Sequence, residues 1–138
     1  APVSKSLRKV ANGMKKPILV YEGGESLRFD GFSIDNGLAG LQRLLHAEGM
    51  LDASPPPTQT PIYFKKTSWV RADKSGLFEW FQQSGAKVSE GEPLGVINDP
   101  YGESTIRIYA KKSGYIIGHN NAPVVSEGDA LFHIGFDL

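Results

Sequence analysis

The first part of the chain combines a helix-like pattern with one apolar run. Residues 4–14 carry apolar side chains at helical spacing and end near a glycine, which predicts a short helix. Residues 17–22 (PILVYE) then place four apolar or aromatic side chains directly before Glu22 and two glycines. This order predicts a buried strand that ends at Glu22 and opens into a loop.

A second helix is predicted beyond that loop. Ser33 or Asp35 is placed to cap its amino end, and Gly49 suits its carboxyl end. Its apolar stripe consists of aliphatic residues at helical spacing: Ile34, Leu38, Leu41, Leu44 and Leu45. Such a stripe is typical of a helix that packs against a sheet.

Prolines mark a boundary after this helix. Residues 52–61 contain four prolines in ten positions, which neither a helix nor a central strand tolerates. We therefore predict a linker at 52–61, an α/β-type region at 1–51 and a separate domain at 62–138.

The region after the linker has the pattern of a small all-β domain. Short alternating segments between glycine turns predict six strands: IYFKKTSWVRA, GLFEWF, PLGVI, TIRIYA, GYIIGH and ALFHIGF. Residues 72–97 and 110–134 are also alike, because both contain a Ser-Gly pair followed by VSEGEPL or VSEGDAL. Two half-copies predict a β-sandwich with pseudo-twofold symmetry, in which each half covers the apolar face of the other.

Composition narrows the classes of function. The 15 basic and 15 acidic side chains cancel, so no net charge favours nucleic acid or an anionic membrane as a partner. No apolar run approaches the ~18–20 residues that a membrane span needs. The chain has no cysteine, which excludes disulfides, a thiolate nucleophile and thiolate metal ligands.

The internal repeat resembles the biotinyl/lipoyl barrel-sandwich hybrid. Carrier domains of that kind present a modified lysine on the hairpin between the two halves. Here the hairpin at 98–104 reads NDPYGES and has no lysine, whereas Lys74, Lys111 and Lys112 lie at the starts of the repeated segments. The resemblance therefore implies the architecture, and a lysine-modified carrier is the least favoured function.

The two regions together resemble the C-terminal portion of the succinylglutamate desuccinylase/aspartoacylase family. The likeness rests on KPILVYEGGESLRFD, GLAGLQRLLHAEGML, WVRADKSGLFEW with GAKVSEGEPLGVINDPYGE, and SGYIIG with PVVSEGDALFHIG. Members of that family are zinc-dependent amidohydrolases with a carboxypeptidase-like α/β domain followed by a β-domain. The resemblance implies an α+β fragment, namely the remnant of that α/β domain joined to an all-β barrel-sandwich hybrid.

The resemblance gives Glu22 a catalytic role. The matching glutamate of the family accepts a proton from the zinc-bound water and passes it to the leaving amine. A carboxylate at the carboxyl end of a strand also faces the crevice where α/β sheets bind ligands. Glu25 is the competing carboxylate and ranks second.

Two further residues are candidate substrate contacts. Arg28 has a planar guanidinium that suits a substrate carboxylate, although an arginine in a polar loop is more often an ordinary surface group. Tyr101 either overhangs the active site from its hairpin or packs locally as a turn aromatic. Gly23 and Gly24 serve either turn formation or room for substrate.

The zinc ligands that the resemblance implies are missing from this sequence. The family holds zinc with a His-x-x-Glu pair and a distant histidine, and none of His46, His119 and His133 begins such a pair. A catalytic zinc site keeps three protein ligands and an open position. We therefore expect Zn²⁺ in the full-length parent, no metal bound to this chain, and no activity from the chain alone.

Two classes of function remain open. The favoured one is a C-terminal fragment of a cytoplasmic zinc-dependent deacylase that hydrolyses an N-acyl amino acid or similar amide. Its β-domain either restricts access to the active site or supports contacts in a homo-oligomer, and neither nucleic acid nor a membrane is an expected partner. The alternative is a non-catalytic interaction or adaptor module built on the barrel-sandwich domain.

Overall fold

The chain divides into two units at the end of its proline-rich segment. In a computed structural model that describes residues 5–137, the units are Ala1–Thr60 and Pro61–Leu138. Residues 53–57, which include three consecutive prolines, form neither helix nor strand. Within residues 5–137, neither helix has the length and apolar character that crossing a membrane requires.

Two helices make up the regular structure described for the first unit. Helix α1, Leu7–Gly13, begins after Ser6, whose Oγ accepts a hydrogen bond from the backbone N–H of Lys9 at 3.3 Å. Helix α2, Gly31–Ala47, is followed by Gly49 at φ +70°. Because a left-handed residue ends a helix in this way, the predicted role of Gly49 is confirmed.

The predicted cap of α2 is wrong. The helix begins after Asp30 rather than after Ser33 or Asp35. The carboxylate of Asp30 accepts hydrogen bonds from the backbone N–H of Ser33 at 3.5 Å and from its hydroxyl at 2.7 Å. A carboxylate at this position also interacts favourably with the positive end of the helix dipole. Because the helix begins at Gly31, Ser33 lies inside its first turn.

The predicted strand at residues 17–22 does not form. These residues have no ladder hydrogen bonds, and Leu19, Val20 and Tyr21 are 77%, 52% and 61% exposed. A strand needs a neighbouring strand for its backbone groups. All strands in the described part of the chain lie between residues 66 and 136, so the first unit offers no such neighbour.

The apolar stripe of α2 lies on the helix as predicted but is not covered. Ile34, Leu38 and Leu41 are each about half exposed, and no residue between positions 5 and 60 is buried. The first unit therefore presents an apolar surface and has no core within the described residues.

The described part of the second unit consists of antiparallel strands in two four-stranded sheets. The strands are β1 Lys66–Arg71, β2 Gly76–Trp80, β3 Lys87–Val88, β4 Pro93–Asn98, β5 Thr105–Tyr109, β6 Gly114–His119, β7 Val124–Val125 and β8 Ala130–Phe136. All six predicted strands form. The additional strands β3 and β7 have two residues each, too few for an alternating pattern to reveal.

The strand order of the two sheets follows the internal repeat. One sheet has the order β1-β8-β6-β3 and the other has the order β5-β4-β2-β7. The two orders are related by a shift of four strands, with β8 followed by β1. Under this shift β1 corresponds to β5, β8 to β4, β6 to β2 and β3 to β7. Each half of the unit therefore contributes strands to both sheets.

The core of the second unit lies between the sheets. Within residues 61–137 every buried side chain is apolar, and the largest fully buried ones include Phe132, Leu94, Ile116 and Leu131. Leu94 and Leu131 are the last residues of the two VSEG-type motifs, and burial of such a side chain contributes about 1.5–3 kcal/mol. The observed architecture is thus α+β, and the barrel-sandwich hybrid form of the second unit stays a prediction.

Candidate functional site

The loop that contains Glu22 folds back on the start of α2. The hydroxyl of Tyr21 donates a hydrogen bond to the carbonyl oxygen of Ser33 at 2.6 Å. On the other side of Glu22, a Cβ built on Gly24 would lie 3.4 Å from the Cβ of Asp30, an ordinary packing distance. Tyr21 therefore contacts α2 at its amino end, and Gly24 lies close to the residue that caps this helix.

Local packing accounts for both glycines after Glu22. A Cβ on Gly23 would lie 2.7 Å from the hydroxyl oxygen of Tyr21, so a side chain there would require the tyrosine ring to move. Gly24 has φ +83°, a conformation that costs glycine little and other residues more. Of the two roles considered for this pair, turn formation is supported by the backbone of Gly24. Room for substrate stays a prediction, since both glycines line a small pocket.

The two carboxylates of the loop differ in their partners. Within residues 5–137 the exposed side chain of Glu22 has no hydrogen bond or ion pair. Glu25 instead forms an ion pair with Arg28, with 3.1 Å between Oε2 and Nε. The carboxylate of Glu22 therefore has no protein partner within these residues, whereas that of Glu25 is engaged by a guanidinium.

Asp30 connects the cap of α2 to the loop. The hydroxyl of Ser33 donates to its carboxylate, and this bond, supported by the backbone N–H of Ser33, lowers the pKa of Asp30 below its ordinary value. The carboxylate therefore stays ionised at neutral pH. The carboxylate of Asp30 thereby holds Ser33, whose carbonyl oxygen accepts the hydrogen bond from Tyr21.

An open pocket of about 140 Å³ lies between this loop and the first turn of α2. Glu25 and Arg28 line the pocket, together with Tyr21 and Ser33, but Glu22 does not. Small-molecule sites usually measure roughly 300–1,000 Å³. This pocket is therefore too small to be a complete site for an N-acyl amino acid.

Tyr101 lies in the second unit, on the hairpin between β4 and β5. Asp99 accepts hydrogen bonds from the backbone N–H groups of Tyr101 at 2.9 Å and of Glu103 at 3.3 Å, which fixes the turn. Tyr101 itself is 88% exposed, so its ring does not pack locally. Glu22, Glu25 and Arg28 thus share one loop, and Tyr101 belongs to the other unit.

The described residues do not fit a zinc site. Within residues 5–137, no three histidine, aspartate or glutamate side chains are grouped so that they can hold a metal ion. Nδ1 of His46 is 2.9 Å from a backbone carbonyl, Nδ1 of His119 is 2.8 Å from a serine hydroxyl, and His133 stacks on Trp69 with 4.2 Å between ring centroids. Each histidine therefore has a local structural partner.

The contact between Tyr21 and α2 was not predicted from the sequence. In the predicted strand Tyr21 is an interior residue, which hides any role in the loop. An aromatic residue directly before a glutamate and two glycines is the local signal of this arrangement. Its partner on α2 is twelve residues further along the chain, beyond the reach of a local pattern.

Comparison with solved structures shows that this chain has a known fold. No protein-family profile and no curated protein matches the sequence. Among solved structures, the ectoine utilization protein EutE (DoeB) from Ruegeria pomeroyi matches with a TM-score of 0.90 and 20% identity over 99% of this chain. A succinylglutamate desuccinylase from Silicibacter sp. TM1040 matches with a TM-score of 0.81 and 19% identity over 98% of this chain.

A third match is the succinylglutamate desuccinylase/aspartoacylase from Rhodobacter sphaeroides, with a TM-score of 0.71 and 21% identity over 80% of this chain. The chain spans 37% of the length of that protein and 44% of each of the other two. Several structural neighbours that cover most of this chain are therefore named as succinylglutamate desuccinylase or aspartoacylase proteins. This chain has the fold of less than half of such a protein.

Proposed function

We propose that this chain is the C-terminal part of a deacylase that hydrolyses an N-acyl amino acid or a similar amide. The structural likeness over 99% of the chain to a protein of roughly twice its length, together with the likeness to a succinylglutamate desuccinylase over 98% of the chain, carries this proposal. At 20% identity the likeness concerns the fold, so the reaction, the substrate and a cytoplasmic location are parts of the proposal.

The exposed surface of the first unit supports a larger parent domain. The stripe of α2 and the run at 17–22 expose many aliphatic side chains close together in sequence. Extended apolar surfaces of this kind usually mark an interface. In the proposed parent, further strands pair with the run at 17–22, and the sheet so formed covers α2.

Glu22 is the proposed general base. A carboxylate without a partner has a lone pair available to accept a proton from the water that attacks the amide carbonyl. The same carboxyl group then donates that proton to the leaving nitrogen, so the products are a carboxylic acid and an amine. Glu25 suits this role less well because Arg28 already neutralises its charge.

No step is assigned to a metal in this chain. The zinc that the family resemblance implies would have its ligands in the part of the parent outside residues 5–137, because the described residues do not fit a metal site.

Arg28 and Tyr101 are the proposed substrate contacts. Arg28 contacts Glu25 through Nε, and the N–H groups on its two Nη atoms would bind a carboxylate of the substrate. The exposed ring of Tyr101 is free to contact a ligand. We further propose that the β-unit, in the barrel-sandwich hybrid form, limits access to the site or joins copies of the protein.

An assay of the full-length protein tests the proposal. Purified protein is incubated with N-acetyl and N-succinyl amino acids, and the release of free amine is measured. We expect amine release from at least one of these substrates. A full-length protein that releases no amine from any of them, or an open reading frame that begins near Ala1, would favour the adaptor module instead.

A further inference from the structure

The hydroxyl of Tyr21 binds an oxygen that α2 already uses. In an α-helix the carbonyl oxygen of Ser33 is the acceptor for the N–H of residue 37, one turn later. A carbonyl oxygen has two lone pairs, so the hydroxyl of Tyr21 takes the second one at 2.6 Å. The bond therefore fastens the loop to α2 without removing a helical hydrogen bond.

The ring of Tyr21 lies against two glycines. A Cβ on Gly37 of α2 would lie 2.7 Å from Cε1 of the ring, and a Cβ on Gly23 would lie 2.7 Å from its hydroxyl oxygen. Real Cβ atoms do not come this close to neighbouring atoms. The ring thus lies against two positions, one in the loop and one in the helix, at which a side chain would require the ring to move.

The glycine at this contact lowers the intrinsic stability of the helix. Glycine inside a helix is less stable than alanine by roughly 0.5–1 kcal/mol. Gly37 lies in the interior of α2, and an alanine there would require the ring of Tyr21 to move. Gly40, one turn later, has no comparable neighbour, because its Cβ would meet only the end of Arg43 at 3.8 Å.

We propose that Tyr21 is a positioning residue for Glu22. Its hydroxyl and ring fix the backbone on both sides of Glu22 to the first two turns of α2, while the carboxylate of Glu22 stays free. This inference rests on the proposed function, in which Glu22 is the general base. Positioning of this kind matters because a misplacement of about 1 Å costs up to ~10²-fold in rate.

The hydroxyl of Tyr21 does not itself transfer a proton in this arrangement. It donates its hydrogen to the carbonyl oxygen of Ser33, so the effect of Tyr21 on catalysis passes through Glu22. A residue that acts in this way changes kcat and leaves substrate binding unchanged.

The test uses the full-length protein with the variants Tyr21→Phe and Gly37→Ala. We expect Tyr21→Phe to lower kcat by roughly 2- to 10-fold with KM unchanged, as for the loss of one hydrogen bond. We expect Gly37→Ala to lower kcat at least as much, because its methyl group displaces the ring. The matched control Gly40→Ala, on the same helix, keeps the kcat of the wild type.

A second comparison separates this inference from the proposed function. In a Glu22→Gln background, Tyr21→Phe should cause no further fall in kcat. An equal fall in both backgrounds would overturn the positioning role and leave Glu22 as the base. Near-normal turnover of Glu22→Gln alone would overturn the proposed base, and the positioning role with it.

Hydrogen exchange provides a readout that does not depend on activity. The amides of residues 21–25 should exchange faster in Tyr21→Phe and Gly37→Ala than in the wild type and in Gly40→Ala. Unchanged exchange in both variants, with the loop as protected as in the control, would show that Tyr21 does not hold the loop and would overturn the inference.

Discussion

The backbone N–H of Glu90 donates a hydrogen bond to the hydroxyl of Ser113 at 2.9 Å. The equivalent bond of the other half runs from the N–H of Glu127 to the hydroxyl of Ser75 at 3.0 Å. Each serine therefore fastens the VSEG turn of the opposite half. This reciprocal contact explains why the Ser-Gly pair and the VSEG pattern recur together in the sequence.

Removal of either hydroxyl should weaken the second unit. We expect Ser113→Ala and Ser75→Ala each to lower the free energy of unfolding by about 1 kcal/mol, because a turn amide loses its acceptor. Urea unfolding followed by tryptophan fluorescence measures the effect, since Trp69 and Trp80 both lie in this unit. Ser104→Ala, at an exposed hairpin position, is the control, and an equal loss there would contradict the role of the two serines.

The glycines of strand β6 should differ in their tolerance of alanine. A Cβ on Gly114 would run into the backbone carbonyl of Gly135, whereas a Cβ on Gly118 would meet nothing within 4 Å. We expect Gly114→Ala to lower the free energy of unfolding by about 1–3 kcal/mol and Gly118→Ala to change it by less than about 0.5 kcal/mol. Urea midpoints give the comparison, and similar losses in both variants would refute the close approach of the strands at Gly114.

The 138-residue chain should neither hold zinc tightly nor hydrolyse N-acyl amino acids by itself. The reason is that residues 5–137 do not bring three metal ligands together. Metal analysis after dialysis and an amine-release assay measure the two properties. Zinc retained at one ion per chain would contradict this expectation.

The second unit was predictable from the sequence because its signals are local and occur twice. Alternating strands and glycine turns mark six of the strands, and the repeated motifs end in the core residues Leu94 and Leu131. The strands β3 and β7 were not predicted because they have two residues each and form by pairing with distant segments.

The first unit was harder to predict because its structure depends on partners. The run at 17–22 has the hydrophobicity of a strand, but hydrophobicity does not supply the hydrogen-bonding neighbour that a strand needs. The start of α2 was misplaced because three residues within six positions are able to cap a helix. Asp30 takes the role, and the hydroxyl of Ser33 is one of its donors.

The candidate site was predictable only in part. The role of Glu22 followed from the family resemblance, whereas Glu25 and Arg28 were candidates because of their side-chain chemistry. All three lie in one loop, and the ion pair between Glu25 and Arg28 was not foreseen. The contact of Tyr21 with Ser33 and Gly37 joins residues that are twelve or more positions apart, so only the folded structure reveals it.

The central claim is that Glu22 acts as the general base of a deacylase, and the turnover of two variants of the full-length protein tests it most directly. Glu22→Gln should lower kcat by ~10²–10⁴-fold while KM and the content of the proposed zinc stay unchanged, because only proton transfer is removed. Glu25→Gln should change kcat by less than about 5-fold, since Glu25 only pairs with Arg28 in an exposed ion pair. Near-normal kcat in Glu22→Gln, or a larger loss in Glu25→Gln, would contradict the account.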